Sequence, residues 1–197
     1  MAFPSHAVII TAAGSSERFN SPASSGQPVK KEYLSIEGRT VLYRALLPFM
    51  EIPGCRLIIV TYPEGQEPDI AYALDDLLDQ NRIPMFLIPG GKTRQASVQR
   101  ALERIAALDV SVDYVAIHDG ARPYITSQVI INTLAMATVF GGAAPVIPVQ
   151  DALTEVDENG LMRHHIPRAT TRAIQTPQIF RFHDILEAHR TAARSGI

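Results

Sequence analysis

Short, almost wholly apolar runs recur along this chain at residues 7–10, 57–60, 85–88, 114–117 and 144–147. Runs this short, without polar alternation, suit strands covered on both faces. Helical patterns stand between them. Residues 40–49 place Leu42, Ala45, Leu46 and Phe49 on one face, and 69–78 follows as a second stretch. In 93–108, Val98, Leu102, Ile105 and Leu108 fall at helical spacing. Residues 126–139 open on Thr126, a candidate N-cap, and 182–194 form the last helical stretch. This alternation predicts an α/β fold, a mostly parallel twisted sheet with helices on both faces. Such sheets bind ligands beyond the C-terminal ends of their strands, so the residues after each run are the informative ones.

The length of 197 residues predicts a single domain over 1–197. With 46% hydrophobic and 19% charged residues, a disordered chain is excluded. The net charge of −2 and the pI near 6.3 argue against a nucleic-acid binder, which would carry a basic stripe. The single cysteine, Cys55, permits no internal disulfide and suits a reducing compartment. The first residues lack the basic and apolar regions of a secretory signal. Within the longest uncharged stretch, residues 128–150 are interrupted by Asn132, Gly141, Gly142, Pro145 and Pro148, so no membrane span is expected. A cytoplasmic location follows as the expectation. One segment, 151–172, breaks the rhythm. There Asn159-Gly160 separates two strand-like runs, which predicts a hairpin projecting as a β-arm.

The first run is followed by Thr11-Ala12-Ala13-Gly14-Ser15-Ser16-Glu17-Arg18. Small residues let the backbone approach a ligand, and exposed N–H groups cradle phosphate. An ordinary glycine turn with solvated cations fits the same residues, and spacing alone leaves both readings open. A dinucleotide fingerprint is excluded, because Ser16 and Phe19 stand where glycines are required. Gly90-Gly91-Lys92-Thr93 imitates the end of a P-loop, but Phe86 replaces the first glycine. After the fourth run comes His118-Asp119-Gly120-Ala121-Arg122-Pro123. A strand-end aspartate there is well placed for Mg²⁺ with a triphosphate, and a structural Asp–Arg pair is the alternative. His118 is expected to be structural. His164 and His165 lack the companions of a zinc site.

Five motifs occur in order: Ala-Ala-Gly-x-x-x-Arg, a Lys before Tyr-Leu-Ser-Ile, Gly-Gly-x-x-Arg-x-x-Ser-Val, His-Asp-x-Ala-Arg-Pro and Gln-Thr-Pro-Gln-x-Phe. Together they resemble the 2-C-methyl-D-erythritol 4-phosphate cytidylyltransferases of the non-mevalonate isoprenoid pathway, over about residues 7–190. The resemblance implies a Rossmann-like nucleotidyltransferase domain whose β-arm completes a homodimer. It implies a reaction joining CTP to a sugar-alcohol phosphate with Mg²⁺ and releasing pyrophosphate. Arg18 and Lys31 would then stabilise transition-state charge. Ala12, Ala13 and Gly14 would line the nucleotide site, Gly91 and Ser97 would contact cytosine, and Asp119 would hold the metal, buttressed by Arg122. Arg168 would bind the sugar phosphate at the partner's site, and Asp151 its hydroxyls.

The chain departs from the family pattern at several points. Lys30 takes the place of a usual proline, Lys92 of a common aspartate, and Ala152 of a usual threonine. Beyond the position of Ile197 the family usually continues with a strand, a second acidic metal residue and a substrate-positioning lysine, which this chain is expected to lack. Two alternatives follow: a ribitol 5-phosphate cytidylyltransferase, and a non-catalytic nucleotide-binding or dimerisation module.

Overall fold

The computed structural model describes residues 3–16, 30–79 and 83–196. The chain runs through β1 (His6–Thr11), the short pair β2 (Ser35–Ile36) and β3 (Arg39–Thr40), α1 (Val41–Met50), β4 (Cys55–Tyr62) and α2 (Glu67–Leu74). It continues through β5 (Met85–Pro89), α3 (Arg94–Ala106), β6 (Tyr114–Asp119), α4 (Ser127–Phe140), β7 (Gly142–Ala143) and β8 (Val146–Pro148). The last elements are β9 (Leu153–Val156), β10 (Met162–Ile166), β11 (Arg172–Ile174), β12 (Gln178–Arg181) and α5 (Phe182–Arg194). Four of the five apolar runs are strands of one six-stranded sheet, ordered β5-β4-β1-β6-β12-β7. β5, β4, β1 and β6 are parallel, and β12 and β7 complete the sheet antiparallel.

Alternate residues of each central strand feed two cores. Val8, Ile10, Ile58, Val60 and Ala116 face α1, α2 and α4. Ala7, Ile9, Leu57, Ile59, Val115 and Ile117 face α3 and α5. Helices therefore cover both faces, as continuous apolar strands require. Three helices start on threonine caps: the side chains of Thr40, Thr93 and Thr126 accept from the N–H groups of Tyr43, Ala96 and Val129. Gly141 ends α4 in the left-handed region, at φ 83°.

The strand order reverses beside β1. β4 and β5 build outward on one side, and α3 then carries the chain across to β6 on the other. The C-terminal ends of β1 and β6 lie side by side, with Thr11 opposite Asp119. That is a topological switch point, where open α/β sheets form their ligand crevice.

The fifth run departs from expectation. Instead of a buried strand, it divides: Gly142–Ala143 joins the sheet edge beside β12, and Val146–Pro148 leaves the sheet to pair with β11. Pro145 and Pro148 have no N–H to give a central ladder, and Val146 and Ile147 are each 52% exposed. The expected helix at 69–78 is also shorter, ending at Leu74 in a 3₁₀ turn at Asp75–Leu77.

The 151–172 segment contains the expected hairpin, β9 against β10, outside the main sheet. Asp157 organises its turn, accepting through Oδ1 from the N–H groups of Asn159 and Leu161, each at 2.9 Å. Among the described residues no helix is long and apolar enough to cross a membrane.

Candidate active site

A cleft of about 750 Å³ opens at the switch point. Its lining comes from the segment after β1 (Thr11, Ala13, Gly14, Ser15), from Lys31 and Glu32, from the β5–α3 turn (Gly91 to Arg94) with Ser97, and from Asp119, Ala121 and Arg122. Of the residues expected at a nucleotide site, Ala13, Gly14, Lys31, Gly91, Ser97, Asp119 and Arg122 meet here. Ala12 stands behind it, fully buried, with its N–H donated to the Thr61 carbonyl at 3.1 Å. Arg18 lies outside the described residues, as does the loop at 21–27.

The glycines of the cleft answer different demands. A Cβ on Gly90 would lie 2.2 Å from the Ala13 Cβ, and one on Gly91 would lie 2.5 Å from the Ala96 Cβ. The β5–α3 turn must therefore be bare to pack against its neighbours. A Cβ on Gly14 would meet nothing within 4 Å, so protein packing does not demand that glycine. The open side leaves the backbone free for a ligand. The Ser97 Oγ, at the start of α3, accepts from the Gly91 N–H at 3.0 Å and shapes the turn from within.

Asp119 is the electrostatic centre. Arg94 Nε donates to its Oδ1 at 3.0 Å, and Arg122 Nε to its Oδ2 at 3.2 Å. The Thr11 hydroxyl reaches Oδ1 at 3.3 Å. Burial pulls the carboxyl pKa upward, but the two guanidinium groups outweigh it and hold the group below its ordinary value. Arg94 also donates to Gln178 Oε1 at 3.3 Å, and Arg122 to Gln175 Oε1. The Gln-Thr-Pro-Gln segment thus braces both arginines.

Sequence reasoning assigned no role to Arg94, Gln175, Thr176 or Gln178. The only signal was their membership of the third and fifth motifs. Thr176 belongs to a buried relay. The Arg122 carbonyl can only accept, so His118 Nε2, at 3.2 Å, carries the proton. Nδ1 then accepts from the Thr176 hydroxyl at 2.9 Å, whose oxygen accepts from the Asp119 N–H at 3.3 Å. Burial drives the His118 pKa down to about 4, and the ring, fully buried beside Phe49, is neutral. His118 is a structural strut, in keeping with the expectation.

On the other wall, Lys30 donates to the Gly14 carbonyl at 2.6 Å and sits 3.8 Å from Glu32. Burial lowers its pKa, and Glu32 opposes that shift. Asp151 and Arg168 are exposed and do not line this cleft; Arg168 donates to the Gln150 carbonyl at 2.8 Å. Among the described residues no group of three His, Cys, Asp or Glu side chains could hold a metal. His164 instead pairs across the hairpin with Glu155 at 3.0 Å.

Residues 6–197 match a family model described as IspD: 2-C-methyl-D-erythritol 4-phosphate cytidylyltransferase. The chain belongs to this cytidylyltransferase family. A bifunctional enzyme IspD/IspF of Bradyrhizobium sp. is 42% identical over 97% of this chain and 45% of its own length. A 2-C-methyl-D-erythritol 4-phosphate cytidylyltransferase of Caldanaerobacter subterraneus is 36% identical over 95% of this chain and 78% of its own. The crystal structure of the cytidylyltransferase from Thermus thermophilus superposes with a TM-score of 0.70 at 32% identity, covering 100% of this chain and 79% of that one. The chain spans about 45% of the length of the bifunctional relatives that it matches.

Proposed function

We propose that this member of the cytidylyltransferase family transfers CMP from CTP to 2-C-methyl-D-erythritol 4-phosphate and releases pyrophosphate, in isoprenoid precursor synthesis. The observation that carries this reading is the charge pattern of the cleft. Lys31, Lys92, Arg94 and Arg122 line it together with the carboxylates of Glu32 and Asp119, and no histidine does among the described residues. The attacking group is a phosphate monoester oxygen, whose second pKa near 6 leaves it largely ionised at neutral pH. It needs no general base. It attacks the α-phosphorus of CTP; that P–O bond forms as the bond to the pyrophosphate oxygen breaks, and the electron pair leaves with pyrophosphate.

The protein's task is then to position two anions and to spread their charge. Lys31, with Arg18 assigned to the same work by resemblance, stabilises the charge that develops on the transferring group. Arg94 and Arg122 can turn from Asp119 to phosphate oxygens, since each guanidinium carries further donors. The backbone of Ala13 and Gly14 receives the phosphates, and Gly91 and Ser97 hold the base. The oxygen-only donor set of Asp119 fits Mg²⁺, which binds one or two carboxylates and takes its remaining ligands from substrate phosphates and water. Bound there, Mg²⁺ would neutralise charge on the leaving pyrophosphate.

Arg168 and Asp151 lie away from their own chain's cleft, which supports their serving a second copy as parts of a homodimeric arm. The exposed apolar side chains of that arm support the same reading. A cytoplasmic setting accords with the lone Cys55, whose thiol burial pushes up to about 12.

The deciding experiment measures pyrophosphate release by this chain with CTP and Mg²⁺, offering either 2-C-methyl-D-erythritol 4-phosphate or ribitol 5-phosphate. Release with the first acceptor alone is expected. Release with ribitol 5-phosphate alone would reassign the acceptor, and CTP binding without release from either would reduce the chain to a nucleotide-binding module.

A further inference from the structure

Lys30 does not line the cleft, yet its side chain is only 10% exposed. A lysine this deeply covered needs partners for its charge. It has the Gly14 carbonyl at 2.6 Å, the Glu32 carboxylate at 3.8 Å and the Tyr33 ring at 5.7 Å from centroid. Glu32, whose side chain is 5% exposed, in turn accepts from the Ser16 hydroxyl at 3.2 Å. Ser16 is held in the left-handed region, at φ 56°, which a serine seldom adopts without support. Lys30 and Glu32 thus grip the segment after β1 at two points, Gly14 and Ser16.

The consequence lies in the peptide between Gly14 and Ser15. It is trans, so its C=O and N–H point in opposite directions. The Gly14 carbonyl is held by Lys30, which does not line the cleft, so the Ser15 N–H is directed away from Lys30, and Gly14 and Ser15 both line the cleft. A carbonyl facing that cleft would repel a triphosphate, and an N–H attracts it. We propose that Lys30 is a positioning residue for the phosphates of CTP, locking the Gly14–Ser15 peptide with its N–H toward the nucleotide. The inference rests on the cytidylyltransferase reading of the cleft and adds to it a residue that touches no substrate.

The test measures dissociation constants by calorimetry for CTP, inorganic tripolyphosphate and cytidine, with the wild-type chain and two variants. Lys30→Met keeps an apolar stem of similar length and removes the donor. Lys30→Gln keeps a polar neighbour for the buried Glu32 carboxylate, and keeps the test alive if Lys30→Met fails to fold. We expect both to weaken CTP and tripolyphosphate about tenfold, equivalent to about 1.4 kcal/mol. Cytidine affinity and the KM for the sugar phosphate should not move, which a general loosening of the fold would not spare. CTP affinity within twofold of wild type in a folded variant overturns the lock. So does an equal loss for cytidine. A wild-type chain that binds neither CTP nor tripolyphosphate overturns the reading of the cleft and the lock with it. Binding without turnover refutes only the catalytic reading and leaves the comparison of affinities decisive.

Discussion

At the end of β6, Asp119 has both carboxylate oxygens engaged by groups of its own chain, Arg94, Arg122 and Thr11. On the arm at 151–172 and the β8–β11 ladder that flanks it in the chain, Val146, Ile147, Val156, Leu161, Met162 and Ile174 are all more than half exposed. The cleft is internally satisfied and sits on a sheet buried on both faces. The arm is held by its own ladders and by the Asp157 turn, and a two-stranded ribbon alone is marginal in water. The stability of this chain should therefore reside in the sheet and its helices. What the arm exposes should matter to something outside the chain, in our proposal a second copy.

The largest expected effect separates the two regions by truncation. Phe49 is fully buried between α1 and the sheet, and Phe49→Ala should destabilise the chain by about 3–5 kcal/mol. Met162 is 78% exposed, and Met162→Ala should change the stability of the dilute chain by less than about 0.5 kcal/mol. Urea unfolding at low protein concentration measures both. A concentration-independent loss above about 1 kcal/mol for Met162→Ala would break the comparison, since it would place the arm inside the chain's own core.

Acid should act on the cleft side next. An unfolded histidine titrates near 6.5, and burial holds His118 at about 4. Between those values the unfolded chain binds more protons, so stability rises with pH across the window and is lost as pH falls through it. The share of His118 comes to about 3 kcal/mol. Denaturation at pH 7 and near pH 4, repeated with His118→Phe, isolates that share as the difference in slope. An identical slope in the variant would mean that the ring is not buried neutral.

Much of this architecture was legible in the sequence. Four apolar runs became strands, because continuous Val, Ile, Leu and Ala leave a strand no face for water. The Thr126 cap and the Asn159-Gly160 turn rest on equally local chemistry, while the caps at Thr40 and Thr93 were not read from it. The fifth run misled because an apolar segment does not say what covers it, and its prolines, which should have counted against a central strand, were outvoted by hydrophobicity. In the site, Asp119 could be placed from its strand end and Lys31 only from the family motif it precedes, and both line the cleft. Arg94 could not, because its meaning lies in a carboxylate 25 residues further along the chain. Nor could Lys30, whose partner is a backbone carbonyl and carries no residue signature.

Arg168→Ala sharpens the comparison from the arm's side. If the arm serves a partner's site, this change should raise the KM for the sugar phosphate about tenfold, near 1.4 kcal/mol, and leave the affinity for CTP unchanged. A loss of CTP affinity instead would put Arg168 at the nucleotide half of the site. Thr126→Ala removes the cap of α4, which packs on the sheet. It should cost about 1 kcal/mol in thermal or urea unfolding, with CTP affinity intact.

The smallest effect concerns the contact between α3 and α5, the helices that cover the second face of the sheet. Arg190 grips Glu103 with two hydrogen bonds, at 2.8 and 2.7 Å, and those bonds hold the Glu103 carboxyl below its ordinary pKa. Both side chains are 41% exposed, so water and salt screen the pair. Two-point geometry favours a measurable contribution, and exposure limits it. Glu103→Gln should therefore reduce stability by less than about 1 kcal/mol, and the difference should shrink in 1 M salt. A larger loss that ignored salt would mean that α5 depends on this ion pair rather than on Leu186 and the apolar face around it, and that the sheet's second layer is less self-sufficient than its burial implies.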